Sequence, residues 1–155
     1  MIPAPHAAFK EALPPDASDP HPPGAVLARY LHDYLQSHGF QLSDFDNWRD
    51  VGWSIDFVAE GHSLQLYFAP RGTDQGAEWL LAITPLNVPG KLRRLLGAAV
   101  PDYSNALRQA VTHAHEALSA RPGLSALAWC LNGDPSTGSS VSTPAALAWP
   151  PQAHS

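Results

Sequence analysis

Residues 53–69, WSIDFVAEGHSLQLYFA, leave little freedom in what this chain can form. Trp53, Ile55 and Phe57 alternate with Ser54 and Asp56. After Glu60-Gly61 the pattern resumes, with Leu64, Leu66 and Phe68 alternating with Ser63 and Gln65. Side chains on a strand point to opposite faces in turn, so a period of two on both sides of a two-residue turn predicts a β-hairpin with one apolar face. A lone hairpin is marginal in water. That face must be covered by other elements.

Helical spacing on either side supplies the cover. Leu27, Tyr30, Leu31, Tyr34 and Leu35 recur at three and four residues, predicting a helix over 25–38 that Gly39 closes, with Phe40 folding back on its last turn. Tyr103, Leu107, Ala110, Val111, Ala114 and Leu118 predict a second helix over 103–120, entered at an Asp102 cap and stopped by Arg121-Pro122-Gly123. Between them, after the turn-rich PRGTDQG, residues 78–84 read as a third strand. After the second helix, LSALAWCL alternates Leu127, Trp129 and Leu131 against Ala126, Ala128 and Cys130 and reads as a fourth. The order α-β-β-β-α-β predicts an α+β two-layer domain, an antiparallel sheet of about four strands with two main helices on one face.

Proline sets the expected borders. Seven of the 16 prolines fall in residues 3–23 and four more between 135 and 151. Each fixes φ and removes an amide donor, so residues 1–23 and 132–155 are expected to be flexible tails around a single domain of residues 24–131. One helical turn near Phe9 to Leu13 is the only element expected in the first. The second repeats the tetrapeptide ALAW, at 126–129 and again at 146–149, and so carries Leu147 and Trp149 in an otherwise polar stretch. An exposed Trp is costly, so this copy is expected either to dock on its own domain, where it would protect a sheet edge, or to meet another chain.

A formal charge of −5 disfavours general adhesion to nucleic acid or anionic lipid. Nothing approaches the roughly 20 apolar residues of a membrane span, the N-terminal MIPAPHAAFKEALPP lacks the pattern of a secretory leader, and a lone Cys130 gives no disulfide framework. A soluble cytoplasmic chain is expected.

Two segments stand out as partner-binding candidates. PLNVPGKLRRLLG holds Lys91, Arg93 and Arg94, a third of the nine cations, around Leu92, Leu95 and Leu96 at helical spacing, which predicts a short amphipathic turn that suits an acidic protein. It is no phosphate loop, since the upstream glycine and the hydroxyl residue after lysine are missing. LSDFDNWRD sets Asp44, Asp46 and Asp50 around Trp48, an aromatic anchor with a charged rim of the kind selective interfaces use. The offsets of a calcium loop are absent.

Chemistry is less visible. His113 and Glu116 share a helix face, but the order is the reverse of a Glu-x-x-His motif and has no second copy, and His32 and His38 do not share a face. No metal or other cofactor is expected. There is no nucleophile elbow or dinucleotide fingerprint, and Cys130 on a strand is expected to be a buried, inert thiol. A small-ligand protein or enzyme would place its pocket between helices and sheet, lined by Tyr30, Tyr34, Arg108 and His113. Anion or RNA binding at Lys91–Arg94 is the third alternative.

Over residues 25–131 the element order, with its acidic balance, resembles that of small secretion chaperones, and some toxin-neutralising immunity proteins are similarly small and acidic. The resemblance implies a non-catalytic interaction module that binds another protein or pairs as a homodimer.

Overall fold

The computed structural model describes residues 2–11, 24–49, 51–71, 77–135 and 139–150. In chain order its elements are β1 (Pro5–Glu11), α1 (Ala25–Ser37), β2 (Gln41–Leu42), β3 (Asp46–Trp48), β4 (Gly52–Ala59), β5 (His62–Arg71), β6 (Ala77–Pro85), α2 (Lys91–Leu95), α3 (Ser104–Ser119), β7 (Leu124–Leu131) and a 3-10 turn at Pro144–Ala146. The predicted hairpin is β4–β5, with Ile55 opposite Leu66 and Phe57 opposite Leu64. Glu60 and Gly61 both take positive φ, 50° and 76°, as a tight turn matching the strand twist requires.

The sheet is larger than the sequence suggests. Among the described residues seven strands, not about four, join one antiparallel sheet in the order β2-β4-β5-β6-β1-β7, with β3 also paired to β4. The largest correction lies at the N-terminus. Residues 5–11 are neither tail nor helical turn but an interior strand between β6 and β7, with Ala7 opposite both Leu81 and Trp129. Pro5 is tolerated because it opens the strand, and Ala7, Phe9 and Glu11 then alternate into the buried side. Residues 12–23, the rest of the expected tail, lie outside the described residues.

α1 and α3 cover one face of the sheet, as expected for two layers. Leu27, Leu31 and Leu35 from α1, Leu107, Val111 and Leu118 from α3, and Ile55, Leu64, Leu66, Phe68, Leu81 and Ile83 from the sheet are fully buried between them. α1 ends as its glycine implies. Gly39 (φ 88°) lets its own amide reach the Gln36 carbonyl while the Phe40 amide reaches that of Leu35, and Phe40 buries its ring against Phe57. Asp102 acts at the start of α3 by accepting the Ser104 amide at 3.0 Å.

The second expected tail is also partly structured. Val141 makes a two-bond antiparallel bridge to Trp129 on the outer edge of β7. After the 3-10 turn Leu147 enters the core, only 9% exposed. A bulge at Ala126 (φ 56°), where the β1 register shifts, bends the other half of that edge.

Candidate functional site

β3 places the first candidate surface. Asp46 pairs with Ser54 and Trp48 with Gly52, so both side chains share the sheet face opposite the helices with Asp56, Gln65 and Tyr67. There the Trp48 ring stacks on Tyr67, with centroids 4.7 Å apart and planes 18° from parallel, and the Arg49 guanidinium lies 5.2 Å above Trp48. Gln65 Nε2 donates to Asp56 Oδ1 at 2.9 Å. Asp44 and Asp46 each accept the amide of the following residue, which fixes the backbone of the stretch. These groups surround an open depression of about 480 Å³ lined by Asp44, Asp46, Trp48, Arg49 and Asp56 among others. Asp50 lies outside the described residues. Trp53, of the opposite parity, packs against Phe45 and the core.

The second surface is α2. Pro85 and Leu64 close one end of the β5–β6 ladder, and the chain then projects outward before α3 returns to the sheet. Every residue of α2 is exposed, and Leu92, Leu95 and Leu96 are 69%, 83% and 79% accessible. Lys91, Arg93 and Arg94 surround them. Arg94 Nε donates to the Pro89 carbonyl at 3.0 Å, and among the described residues none of the three cations forms an ion pair.

Leu147 and Trp149, the other expected partner contacts, are engaged within the domain. Trp149 is half-buried beside α3, with the Arg108 guanidinium 5.4 Å over its ring. A depression of about 570 Å³ separates α3 residues Arg108, Thr112, His115 and Glu116 from Thr143, Pro144, Ala145 and Trp149.

The four residues expected to line a pocket divide along the seam of α1 and α3. The Tyr30 hydroxyl donates to the Ala117 carbonyl at 2.6 Å, tying the two helices together. The Tyr34 hydroxyl points to Glu116 Oε2 at 3.4 Å, and burial followed by the Glu116 charge pushes this phenol's pKa up. Arg108 and His113 line an open depression of about 310 Å³ with Glu60, Asn105, Gln109 and Thr112. Between helices and sheet the described apolar side chains form one buried cluster.

Two other groups carry shifted protonation. Trp129, fully buried, donates its indole N–H to His115 Nδ1 at 3.1 Å, and burial holds that imidazole below its ordinary range against the opposing pull of Glu116. The Cys130 thiol donates to the Gly133 carbonyl at 2.9 Å, and burial, then the Asp134 charge, raises its pKa. It is the buried thiol expected of a strand. One approach has no signal in the sequence. His38, on the turn that ends α1, lies beside His113, their ring centroids 5.4 Å apart.

Compared with known proteins, the chain matches no family model, no curated protein and no solved structure. Among the described residues no helix is long and apolar enough to cross a membrane.

Proposed function

We propose that this protein is a non-catalytic protein-interaction module and that α2 is its principal contact with the partner. The observation that carries this reading is the exposure of Leu92, Leu95 and Leu96 together on one projection. Isolated surface leucines are ordinary, but a contiguous apolar group rimmed by charge is the pattern of a docking contact. Lys91, Arg93 and Arg94 define the complement, a partner surface with an apolar centre and an acidic margin. Leucines among the cations favour a protein over a phosphate backbone, which would take the charges and leave the leucines in water.

The Trp48 surface is a second contact of opposite character. It lies at the Gly52 end of the β4–β5 ladder, whereas α2 leaves the sheet near Leu64, so the two address different parts of a partner or two partners. Both readings are tested by measuring capture from host lysate with the intact chain, with Leu92→Asp/Leu95→Asp and with Trp48→Ala, beside the sedimentation of each alone. Losing one apolar anchor costs more than about 1 kcal/mol, so the double variant is expected to bind at least about tenfold more weakly with unchanged thermal stability. Equal capture by the α2 variant, or an intact chain that stays monomeric and retains nothing, sinks the proposal.

A further inference from the structure

We propose that His38, His113 and Glu116 form a binding site for a zinc-class divalent ion at the α1–α3 seam. One ligand atom from each lies within 4.8 Å of the other two. The two helices bring together residues far apart in the chain. α1 is closed by the Gly39 turn, which sets His38 at its mouth, and α3 presents His113 and Glu116 one turn apart on the face that meets it.

Three observations favour an ion over a mere polar seam. First, His113 Nδ1 is buried and has no hydrogen-bond partner among the described residues, although it sits 3.4 Å from Glu116 Oε2. A buried ring nitrogen held beside a carboxylate is a place for a shared cation, a proton or a metal ion. Second, that 3.4 Å separation matches the edge of about 3.3 Å between two ligands of a tetrahedron drawn with 2.0–2.1 Å bonds. His38 has to close in from the exposed side, pivoting about its contact with Tyr34. Third, the outer partners that orient metal ligands are in place. His38 Nδ1 lies 2.8 Å from the Tyr34 carbonyl, which can only accept, so the proton sits on Nδ1 and Nε2 keeps its lone pair. The Tyr34 ring stacks on His38 at 4.1 Å, its hydroxyl reaches Glu116, and the Phe40 ring stands edge-on to His113 at 5.1 Å.

Two imidazoles and one carboxylate suit zinc, with nickel and copper as stronger competitors and magnesium or calcium as poor ones. Three protein ligands leave a fourth position for water. Solvent reaches it past exposed His38 and half-exposed Glu116.

The test is zinc titration of the untagged full-length protein against a chromogenic chelator, with the melting temperature followed in parallel. One equivalent is expected to bind and to raise the melting temperature. His38→Ala, Glu116→Gln and His113→Gln should each lose it, Tyr34→Phe should weaken it about tenfold or more, and His32→Ala should leave it unchanged. Because His38 is exposed, His38→Ala should melt like the intact chain when no zinc is present, which separates loss of the site from loss of the fold. Absence of binding at micromolar zinc, or binding that survives any one of the three ligand substitutions, overturns the site.

Discussion

Arg121, just beyond α3, pairs its guanidinium with Glu11 at the end of β1, in a place where the glutamate side chain is 1% exposed and the arginine 12%. The same guanidinium lies 4.8 Å over the Tyr30 ring, so one residue joins the sheet, the end of α3 and the face of α1. Removing one partner of such a pair leaves an uncompensated buried charge. Arg121→Ala is expected to lower stability by about 3–5 kcal/mol, whereas Glu11→Leu/Arg121→Met should recover most of that loss. Urea denaturation of the three proteins decides it. A double variant no better than the single one would show that the loss does not come from the uncompensated charge.

Gly52 has no room for a side chain. A Cβ there would meet the Phe68 carbonyl oxygen at 2.0 Å, at the end of the β4–β5 pairing. Gly52→Ala should therefore force the strands apart and cost about 1–3 kcal/mol or more. Gly90 is the control, because its backbone is extended and a Cβ there would meet nothing within 4 Å. Gly90→Ala should stay within about 0.5 kcal/mol of the parent. Thermal melts of both variants check the contrast.

Cys130 should be slow to react. Its thiol pKa is raised by burial and then by Asp134, so less thiolate exists at a given pH than in an unfolded chain. Alkylation by iodoacetamide should be several-fold slower than in urea at pH 8, and Asp134→Asn should speed it. Stability depends on the same proton. The folded state holds it more tightly, so this group's contribution is complete below the ordinary thiol range and is lost as pH rises through the folded value. Equal rates folded and unfolded would refute the shift.

The segment after Asn132 should prove structural. Leu147→Ala removes a buried side chain and should cost about 2 kcal/mol, at the low end for such truncations because the site is near the surface. A chain ending at Asn132 loses the Val141 bridge as well, which opens the outer edge of β7. It should be less stable and also aggregate, as light scattering would reveal, whereas Leu147→Ala should stay dispersed.

The elements visible in the sequence are those with a long, regular apolar period. β4, β5, β6, α1, α3 and β7 all follow alternation or helical spacing. β1 does not announce itself because the prolines in and around it suggest a tail and two of its inward residues, Ala7 and Glu11, are small or charged; it is a strand because β6 and β7 hold it on both sides. β2 and β3, two and three residues long, are too short to show a period. At the surface, the cations and leucines of α2 are legible because charge and spacing lie close together in the chain. The approach of His38 to His113 and Glu116 is not. It depends on where α1 stops and how two helices cross, which are tertiary facts.

An interior β1 also bears on how the molecule is made. β1 precedes both of its neighbours in the chain, and it can be enclosed fully only after β7 has emerged more than a hundred residues later. Until then both of its hydrogen-bonding edges are open, or one is once β6 arrives. Closures over such distances are slow and leave pairing groups available to other chains. Residues 5–11 are thus open to wrong pairing for the longest time, and anything that shields them during synthesis would improve the yield without changing the finished protein.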